Sequence, residues 1–382
     1  MSLCDAIAPV TARRSAPVPA IPRDTLPSSM RASLLLLAAG CAPSSATTDA
    51  SGIGETADTT ETTDSDSPSP DIDPLFFPPP TFAAAEHFTV PTGRGLVWER
   101  DEDFLLADYT VPQLWVTADG SYALMATNML ADGGRWLLTS PDGLEWTPSA
   151  APLLTAADFL PLDCGERLED GAMLYEADGS YRLVVEGTEP IEGDKHAAWR
   201  TWCQASSTDG LVFTPDTSTL FFTGAEDDSG QISVPSLLPL ADGSQLVAYV
   251  GGLYTDAEGI RLARAEGDPW ALSRVSAAGM FPEDDVDPDP VYLEGGGIRV
   301  YHTHTKQGGA GYGDLRSNYV PEQDVQLIPH AEPGCDSAPG DCLLDPAFVR
   351  LDDGRMVLYY TRLAADGMGW VTAGIGRAFA VD

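Results

Sequence analysis

The chain has 382 residues, of which 43% are apolar, so it can bury a large core, and its length alone allows two or three domains. Its 58 acidic residues against 21 Lys and Arg give a formal net charge of -37. That balance argues against nucleic acid and anionic membrane surfaces as partners, because both are bound through clusters of Lys and Arg.

The N-terminal part of the chain has the character of a leader. Residues 1–29 are rich in proline and show no periodicity, whereas Met30 and Arg31 precede a short apolar run that is too short to span a bilayer and is typical of an export signal. The run ends in Leu-Ala-Ala-Gly before Cys41, which resembles a bacterial lipobox. The resemblance implies lipidation of Cys41 and, because Ala42 follows the cysteine, an extracytoplasmic protein on the outer membrane of a Gram-negative bacterium.

The segment that follows the leader predicts a tether. Residues 42–80 are rich in Ser, Thr, Pro and acidic residues and contain no Lys or Arg, and such a segment cannot bury enough apolar surface to fold. The expected organisation is therefore a leader over 1–41, a disordered tether over 42–80 and a folded domain over 88–382. We expect a monomer held to the membrane by its lipid.

A turn motif repeats along the folded part. Asp-Gly or Gly-Gly stands between alternating apolar runs at five places, and such pairs favour hairpin turns because Gly and Asx residues tolerate positive φ. The turn glycines are Gly120, Gly179, Gly243, Gly296 and Gly354. Their spacings of 59, 64, 53 and 58 residues suit repeats of four short strands. The sequence therefore predicts an all-β fold, a five-bladed β-propeller.

A second motif predicts how the ring closes. Residues 140–148 and 207–215 share the pattern Ser-x-Asp-Gly-Leu-x-aromatic-Thr-Pro, and a shorter form, Gly-Leu-Val-Trp, stands at residues 95–98 with no repeat before it. Residues 95–98 therefore read as a fourth strand without its blade. We predict that this N-terminal strand completes the last blade and leaves no sheet edge open.

The cysteines beyond the leader are consistent with an oxidising compartment. Cys164, Cys203, Cys335 and Cys342 are even in number, which allows two disulfides. Cys335 and Cys342 enclose a short loop and form the safer pair, which leaves Cys164 with Cys203 by elimination. The alternative of a zinc site lacks the usual ligand spacing, so no metal site is predicted.

The starts of the innermost strands carry the candidate chemistry. They are placed near Val111-Pro112, Asp170-Gly171, Val234-Pro235, Asp289-Pro290 and Asp345-Pro346. An Asp-Pro start followed by alternating apolar residues and a Tyr-rich strand, as in residues 344–361, resembles the five-bladed glycoside hydrolases of the arabinanase, xylosidase, invertase and levansucrase group. The resemblance covers about residues 95–382 and implies carboxylates at the channel mouth, a carbohydrate ligand and no cofactor, with a structural calcium ion in the channel left open.

The resemblance maps onto particular acids. Asp289 and Asp345 match its Asp-Pro positions, and Asp170 is the acidic start of blade two. Glu186, followed by Gly187, resembles the family's general acid and is aligned with Thr127, Val250, Thr303 and Thr361 of the other repeats. Two carboxyls of different pKa are what glycosidic cleavage requires.

Two departures keep a second function open. Blade one has Val111 where the family has its Asp-Pro base, with Asp108 three residues earlier, and Asp287 competes with Asp289 for one role. The first hypothesis is an exported, surface-anchored glycoside hydrolase-like propeller that cleaves or recognises glycans at the channel mouth. The alternative is a non-catalytic propeller lipoprotein that binds glycans or proteins there.

The remaining candidates are possible ligand contacts. His302 and His304 alternate on one face of a strand and are hypothesised to bind substrate hydroxyls or a cation, with hydrogen-bonded structure as the alternative. Trp115 is a candidate for stacking on a sugar ring, with burial between blades as the alternative. The glycine-rich run at residues 308–313 lacks the Lys of a phosphate loop, so it is interpreted as a loop at the rim.

Overall fold

A computed structural model describes residues 82, 84–91, 97–101, 103–131, 134–190, 198–218, 220, 232–252, 258–266, 271–274, 285–294, 296–304, 309–315, 321–328, 341–365 and 370–381. These residues form five antiparallel blades around a central channel, which confirms the five-bladed propeller. No helix within them is long and apolar enough to cross a membrane. The leader, Cys41 and the tether lie outside them, so the predicted anchor stays a prediction.

The strands follow one another in blade order. A 3₁₀ turn at Ala85–Phe88 precedes three short strands, β1 (Thr89–Val90), β2 (Val97–Arg100) and β3 (Leu106–Ala107). Blade one comprises β4 (Tyr109–Val116), β5 (Tyr122–Asn128), β6 (Gly134–Ser140) and β7 (Thr147–Thr155), followed by a 3₁₀ turn at Ala156–Phe159. Blade two comprises β8 (Arg167–Tyr175), β9 (Tyr181–Pro190), β10 (Ala198–Ser207) and β11 (Thr214–Pro215).

The other three blades repeat this order. Blade three comprises β12 (Ile232–Pro239), β13 (Gln245–Gly251), β14 (Gly259–Glu266) and β15 (Ala271–Arg274). Blade four comprises β16 (Asp285–Leu293), β17 (Ile298–His304), β18 (Gly309–Leu315) and β19 (Pro321–Ile328). Blade five comprises β20 (Asp341–Arg350), β21 (Met356–Ala365) and β22 (Trp370–Val381). The glycine-rich run predicted as a rim loop is thus largely strand β18.

The repeated turns join the first strand of each blade to the second. Gly120, Gly179, Gly243 and Gly354 have φ between 84° and 87°, and Gly296 has φ 101°. A side chain rarely adopts such angles, so glycine at these positions fixes the hairpins and confirms the predicted turns. We call this end of the blades the lower face, and the end at which the first strands begin the upper face.

The ring closes as predicted. Strand β2 pairs with β22 in antiparallel fashion, with Trp98 opposite Ala380, and supplies the fourth strand of blade five. Strand β1 adds to the first strand of blade four in parallel fashion. The N-terminal segment therefore joins blades four and five, and neither keeps a free edge at these strands.

The core lies between blades. Five clusters of buried side chains fill the five interfaces. The aromatic residue of the second motif packs edge-to-face on an aromatic ring of the preceding blade at each of its three occurrences: Trp98 on Tyr301, Trp146 on Tyr359 and Phe213 on Trp115. The shared contact explains why the motif recurs.

One of the two predicted disulfides is present. Cys164, in the loop before β8, is bonded to Cys203 of β10. The bond fastens that loop to the outer part of blade two. The side chains of the other predicted pair, Cys335 and Cys342, lie outside the described residues.

Candidate active site at the upper mouth of the channel

A bulge near the upper end of every first strand builds the site. In each blade two residues of the first strand stand unpaired where the register with the second strand shifts: 111–112, 169–170, 234–235, 287–288 and 345–346. In four blades the first bulge residue has φ of 49° to 55°. This conformation costs about 1–3 kcal/mol for a residue other than glycine, and bulges redirect the side chains that they carry.

The bulges surround a narrow channel. Its wall takes residues from all five first strands, and its free volume is about 20 Å³, room for roughly one water molecule. Two of the bulges are apolar, Val111-Pro112 and Val234-Pro235, and the other three present Asp170, Asp287 and Asp345. The wall is therefore acidic on the side of blades two, four and five.

The register corrects the alignment of blade four by two residues. Asp287, not Asp289, occupies the first bulge position, which Asp345 holds in blade five. Asp289 lies one level deeper in the channel, where its Oδ2 accepts a hydrogen bond of 2.8 Å from Phe348 N. Burial raises the pKa of Asp289 to about 7.

Asp287 and Asp345 form a carboxyl pair. The backbone N of Asp345 donates to Asp287 Oδ2 at 3.2 Å, and burial raises the pKa of both carboxyls. The charge of Asp287 raises the pKa of Asp345 further, and the hydrogen bond between the two side chains raises the pKa of Asp345 while lowering that of Asp287. Burial and the closeness of the two carboxyls therefore disfavour ionising both, so the pair favours holding one proton between them.

Asp170 completes the acidic side of the wall. Burial raises its pKa well above the ordinary range, and the charges of Glu186 and Asp345 raise it further. Unlike the carboxyls of Asp287 and Asp345, it makes no hydrogen bond within the part of the chain that the structure describes. Its oxygens are thus available to a water molecule or a ligand in the channel.

Arg135 is a site residue that the sequence did not reveal. Its side chain is fully buried, and it reaches from the third strand of blade one to the bulge, where Nη2 donates to Val111 O at 2.9 Å and Nη1 to Thr127 Oγ1. Burial lowers its pKa to about 10, and the charges of Asp170 and Asp345 oppose this shift. Blade one therefore contributes a cation beside the carboxyls.

Glu186 lies away from the channel wall. Its side chain has no exposed surface, and its carboxyl binds Arg200 Nη1, Ser233 Oγ at 3.2 Å and Val234 N at 2.8 Å. Burial raises its pKa and the charge of Arg200 opposes that shift. The general-acid role predicted for Glu186 stays a prediction, and this enclosed location does not favour it.

The contacts of Glu186 reveal what it does in the fold. Thr361 Oγ1 accepts from Val111 N at 2.7 Å and Thr303 Oγ1 accepts from Asp345 N at 3.2 Å, so each threonine ties its blade to the bulge of the next one. Glu186 makes the same kind of bond to Val234 N. The register corrects its alignment by one residue, because Gly187 occupies the threonine position.

The predicted sugar contacts lie in the core. Trp115 has no exposed surface, and its Nε1 donates to Gly210 O at 2.8 Å. His302 is equally buried, with Nδ1 at 3.5 Å from Asp285 Oδ2. Both predictions are corrected for one reason: neighbouring blades cover both faces of these strands, so neither side chain reaches solvent. The side chain of His304 lies outside the described residues.

The sequence left open whether a structural calcium ion binds in the channel. Within the described ranges, no group of three or more His, Cys, Asp or Glu side chains is arranged to hold a metal ion. At the channel mouth the carboxyls face the Arg135 guanidinium, and burial raises their pKa and so favours their neutral form.

Comparisons with known proteins support the fold. No family model and no curated protein sequence matches the chain. Solved structures do match. A thermostable family-43 glycoside hydrolase aligns with TM-score 0.54 at 13% identity over 73% of this chain and 92% of its own. The RS223 β-xylosidase aligns with TM-score 0.52 at 13% identity over 74% and 94%.

A third structure adds a bound sugar. The family-43 enzyme of Xanthomonas citri, solved in complex with xylose, aligns with TM-score 0.51 at 14% identity over 72% of this chain and 89% of its own. Identities this low speak for the shape of the chain and not for its chemistry. The protein thus has the five-bladed propeller fold of the family-43 glycoside hydrolases.

Proposed function

We propose that this protein is a carbohydrate-active propeller that hydrolyses glycosides at the upper mouth of its channel. The observation that carries the proposal is the convergence of Asp170, Asp287 and Asp345 from three blades on one channel wall, with a proton shared between two of them. Cleavage of a glycosidic bond needs a neutral carboxyl and an ionised one in the same site. The fold, shared with glycoside hydrolases, is consistent with this chemistry.

The site offers a role for each carboxyl. The Asp287–Asp345 pair, in which burial raises the pKa of both carboxyls, can supply one neutral and one ionised carboxyl. Asp170, whose oxygens have no hydrogen-bond partner among the described residues, is placed to exchange a proton with a ligand. One carboxyl gives its proton to the glycosidic oxygen as the bond from that oxygen to the anomeric carbon breaks, and an ionised carboxyl takes a proton from the water that forms the new bond.

A second candidate function is glycan binding without hydrolysis. Val111 stands at the blade-one position, the carboxyl of Glu186 is enclosed, and the described channel holds only about 20 Å³. These observations favour a protein that recognises a glycan at the mouth of the channel and leaves it uncleaved.

The experiment compares wild type with Asp170→Asn and Asp345→Asn on a panel of aryl pyranosides and furanosides. Asn keeps the shape and removes the proton chemistry, so hydrolysis is expected to fall by roughly two to four orders of magnitude in both variants. Asp353→Asn, at an exposed turn on the lower face, is the matched control and should retain wild-type rates. Melting temperatures check folding. If the wild type hydrolyses no substrate but binds a glycan in calorimetry, the hydrolase proposal fails and glycan binding without hydrolysis takes its place.

Export and surface anchoring belong to the same proposal and rest on the resemblance of residues 37–41 to a lipobox. Replacing Cys41 by Ser removes the lipidated atom, so the protein should move from the membrane fraction to the soluble fraction of cells. A variant that still partitions into membranes would contradict the anchor and leave the channel chemistry unaffected.

A further inference from the structure

The lower face of blade two carries a groove of about 630 Å³, within the range of small-ligand sites. It lies between the turn that follows β8 and the strands β10 and β11. Glu176 follows Asp170 by six positions along the chain, at about 3.3 Å per residue, so the groove is about 20 Å from the channel site. It is a separate surface, and the proposed hydrolysis does not use it.

A row of four side chains forms the wall of the groove. Arg182 Nε donates to Glu176 Oε1 at 2.6 Å and Arg182 Nη1 donates to Gln204 Oε1 at 3.1 Å. Gln204 Nε2 in turn donates to Asp216 Oδ2 at 3.0 Å. The row crosses blade two from the turn after its first strand to the residue after its fourth, and the mutual bonds hold the planar groups in place.

Several polar groups of the wall remain available. Glu176 uses only Oε1, and the amide nitrogen of Gln204 gives only one of its two hydrogens to a described partner. Ser206 and Thr214 add exposed hydroxyls that make no recorded bond with described residues. Acceptors and donors thus alternate along the groove, next to apolar surface from Ala177 and Pro215.

The charges decide the class of ligand. An anion is disfavoured because Glu176, Asp178 and Asp216 outnumber the single cation, Arg182. A small cation is disfavoured because a guanidinium occupies the middle of the row. A neutral molecule with many hydroxyl groups fits, since vicinal hydroxyls both donate and accept and a sugar ring also has apolar faces.

We infer that this groove is a second glycan-binding site, one that takes neutral saccharide units of a polysaccharide on the lower face of blade two. The ligand class follows from the side chains of the groove, so the inference goes beyond the proposed hydrolysis. Two sites on one rigid domain raise the affinity for a long chain above that of either site alone.

The test is native electrophoresis of the full-length protein in gels that contain arabinoxylan, arabinan, xyloglucan or mixed-linkage β-glucan. Gln204→Ala breaks the middle of the row, and Thr214→Trp fills the groove from an exposed position without touching the row. Each substitution should reduce the retardation and raise the apparent Kd for the polysaccharide by at least about tenfold. The matched control is Arg264→Ala, because Arg264 bonds the turn residues Asp242 and Ser244 on the lower face of blade three.

The outcomes separate the two sites. Loss of retardation in Gln204→Ala and Thr214→Trp, with retention in Arg264→Ala and in Asp170→Asn, supports the groove. Retention in both groove variants overturns the inference, as does a wild type that no polysaccharide retards. Loss in Asp170→Asn alone assigns binding to the channel. Hydrolysis of aryl monoglycosides needs only the channel and reports on the proposed function independently.

Discussion

At the upper rim, blades two, four and five each accept a hydrogen bond from the backbone of the next blade. Blades four and five accept it with a threonine, and blade two accepts it with a different residue. The backbone N–H groups of Asp345 and Val111 in two bulges each find an acceptor in the preceding blade, where Thr303 and Thr361 supply a hydroxyl. Blade two has Gly187 at that position, and Glu186 supplies a carboxylate instead. A Cβ on Gly187 would stand 1.9 Å from Cys164 O, so the disulfide-bonded loop over this strand excludes the threonine.

The difference teaches how a carboxyl acquires its role. Where a hydroxyl ties the blades together, the acidic residues of the bulge are left to face the channel, as Asp287 and Asp345 do. Where a carboxylate ties them, it is enclosed and neutralised by Arg200. Position and partners, and not residue type, separate a structural carboxylate from a candidate catalytic one.

The largest effect is expected at the structural carboxylate. Glu186→Ala removes the close ion pair of the buried Arg200 and leaves its guanidinium the longer contact of 3.8 Å to Glu169, so the free energy of unfolding should fall by about 3–5 kcal/mol in urea titrations. Thr303→Val removes a neutral acceptor and should cost only about 1–3 kcal/mol. A Glu186→Ala protein of wild-type stability that has lost all glycoside hydrolysis would reverse the comparison and make Glu186 catalytic.

The next effect is expected at the loop that excludes the threonine. Replacing Cys164 and Cys203 by Ala opens a cross-link between residues 39 apart in sequence, which should cost about 2–4 kcal/mol of stability. Adding reductant to the wild type should lower its melting temperature to about that of the double variant. Equal melting temperatures for the oxidised wild type and the double variant would show that packing alone holds the loop.

The third effect is a pH dependence inside the channel. Burial raises the pKa of Asp289 from 3.8 to about 7, so the folded state holds a proton that the unfolded state has released, and stability falls as pH rises between those values. Asp289→Asn removes this contribution. As pH rises across that window, the free energy of unfolding of the variant should increase relative to that of the wild type by at most about 1.4 kcal/mol per pH unit.

A control of opposite sign lies on the lower face. Hydrogen bonds from Thr117 and Ser121 lower the pKa of Asp119 to about 2, so its charged form stabilises the turn above pH 4 and this stabilisation is lost as pH falls through 2. Asp119→Asn should therefore be less stable than the wild type at neutral pH and equal to it in strong acid. Parallel pH series of melting temperature for the two variants test both signs.

The fold was predictable from the sequence because its signals are local. Positive φ at Gly120 and its equivalents requires a residue type that can be read directly, and the aromatic end of the second motif identified β2 as the missing strand of blade five. The site was harder to read. Residues 287–290 read Asp-Pro-Asp-Pro, so the motif alone does not separate Asp287 from Asp289, and the strand register was needed to identify Asp287 as the bulge residue. In blade two the bulge lies one residue farther from the turn glycine than in the other blades, which shifts the alignment of Glu186 by one residue.

Other misassignments came from burial on both faces. In a sheet with one solvent-exposed face, the alternation of apolar and polar residues reveals which side chains are exposed. The blades of a propeller are covered on both faces, so nothing in the pattern separates Trp115 or His302 from a ligand contact. Arg135 was missed for the converse reason, because a charged residue in a third strand suggests solvent and here it reaches the centre of the ring.

Because β2 closes the ring, the order in which the strands are synthesised also determines when blade five can assemble. The partner of β2 is β22, and about 270 residues lie between them, so a ribosome adding about 5–20 residues per second needs roughly 14–54 seconds to make the second after the first. Throughout that interval residues 97–100 have no strand to pair with, and β1 waits likewise for β16. Blade five is thus the last to assemble, and its completion brings residues from the two ends of the chain side by side, so a nascent chain cut off before β22 cannot close its ring.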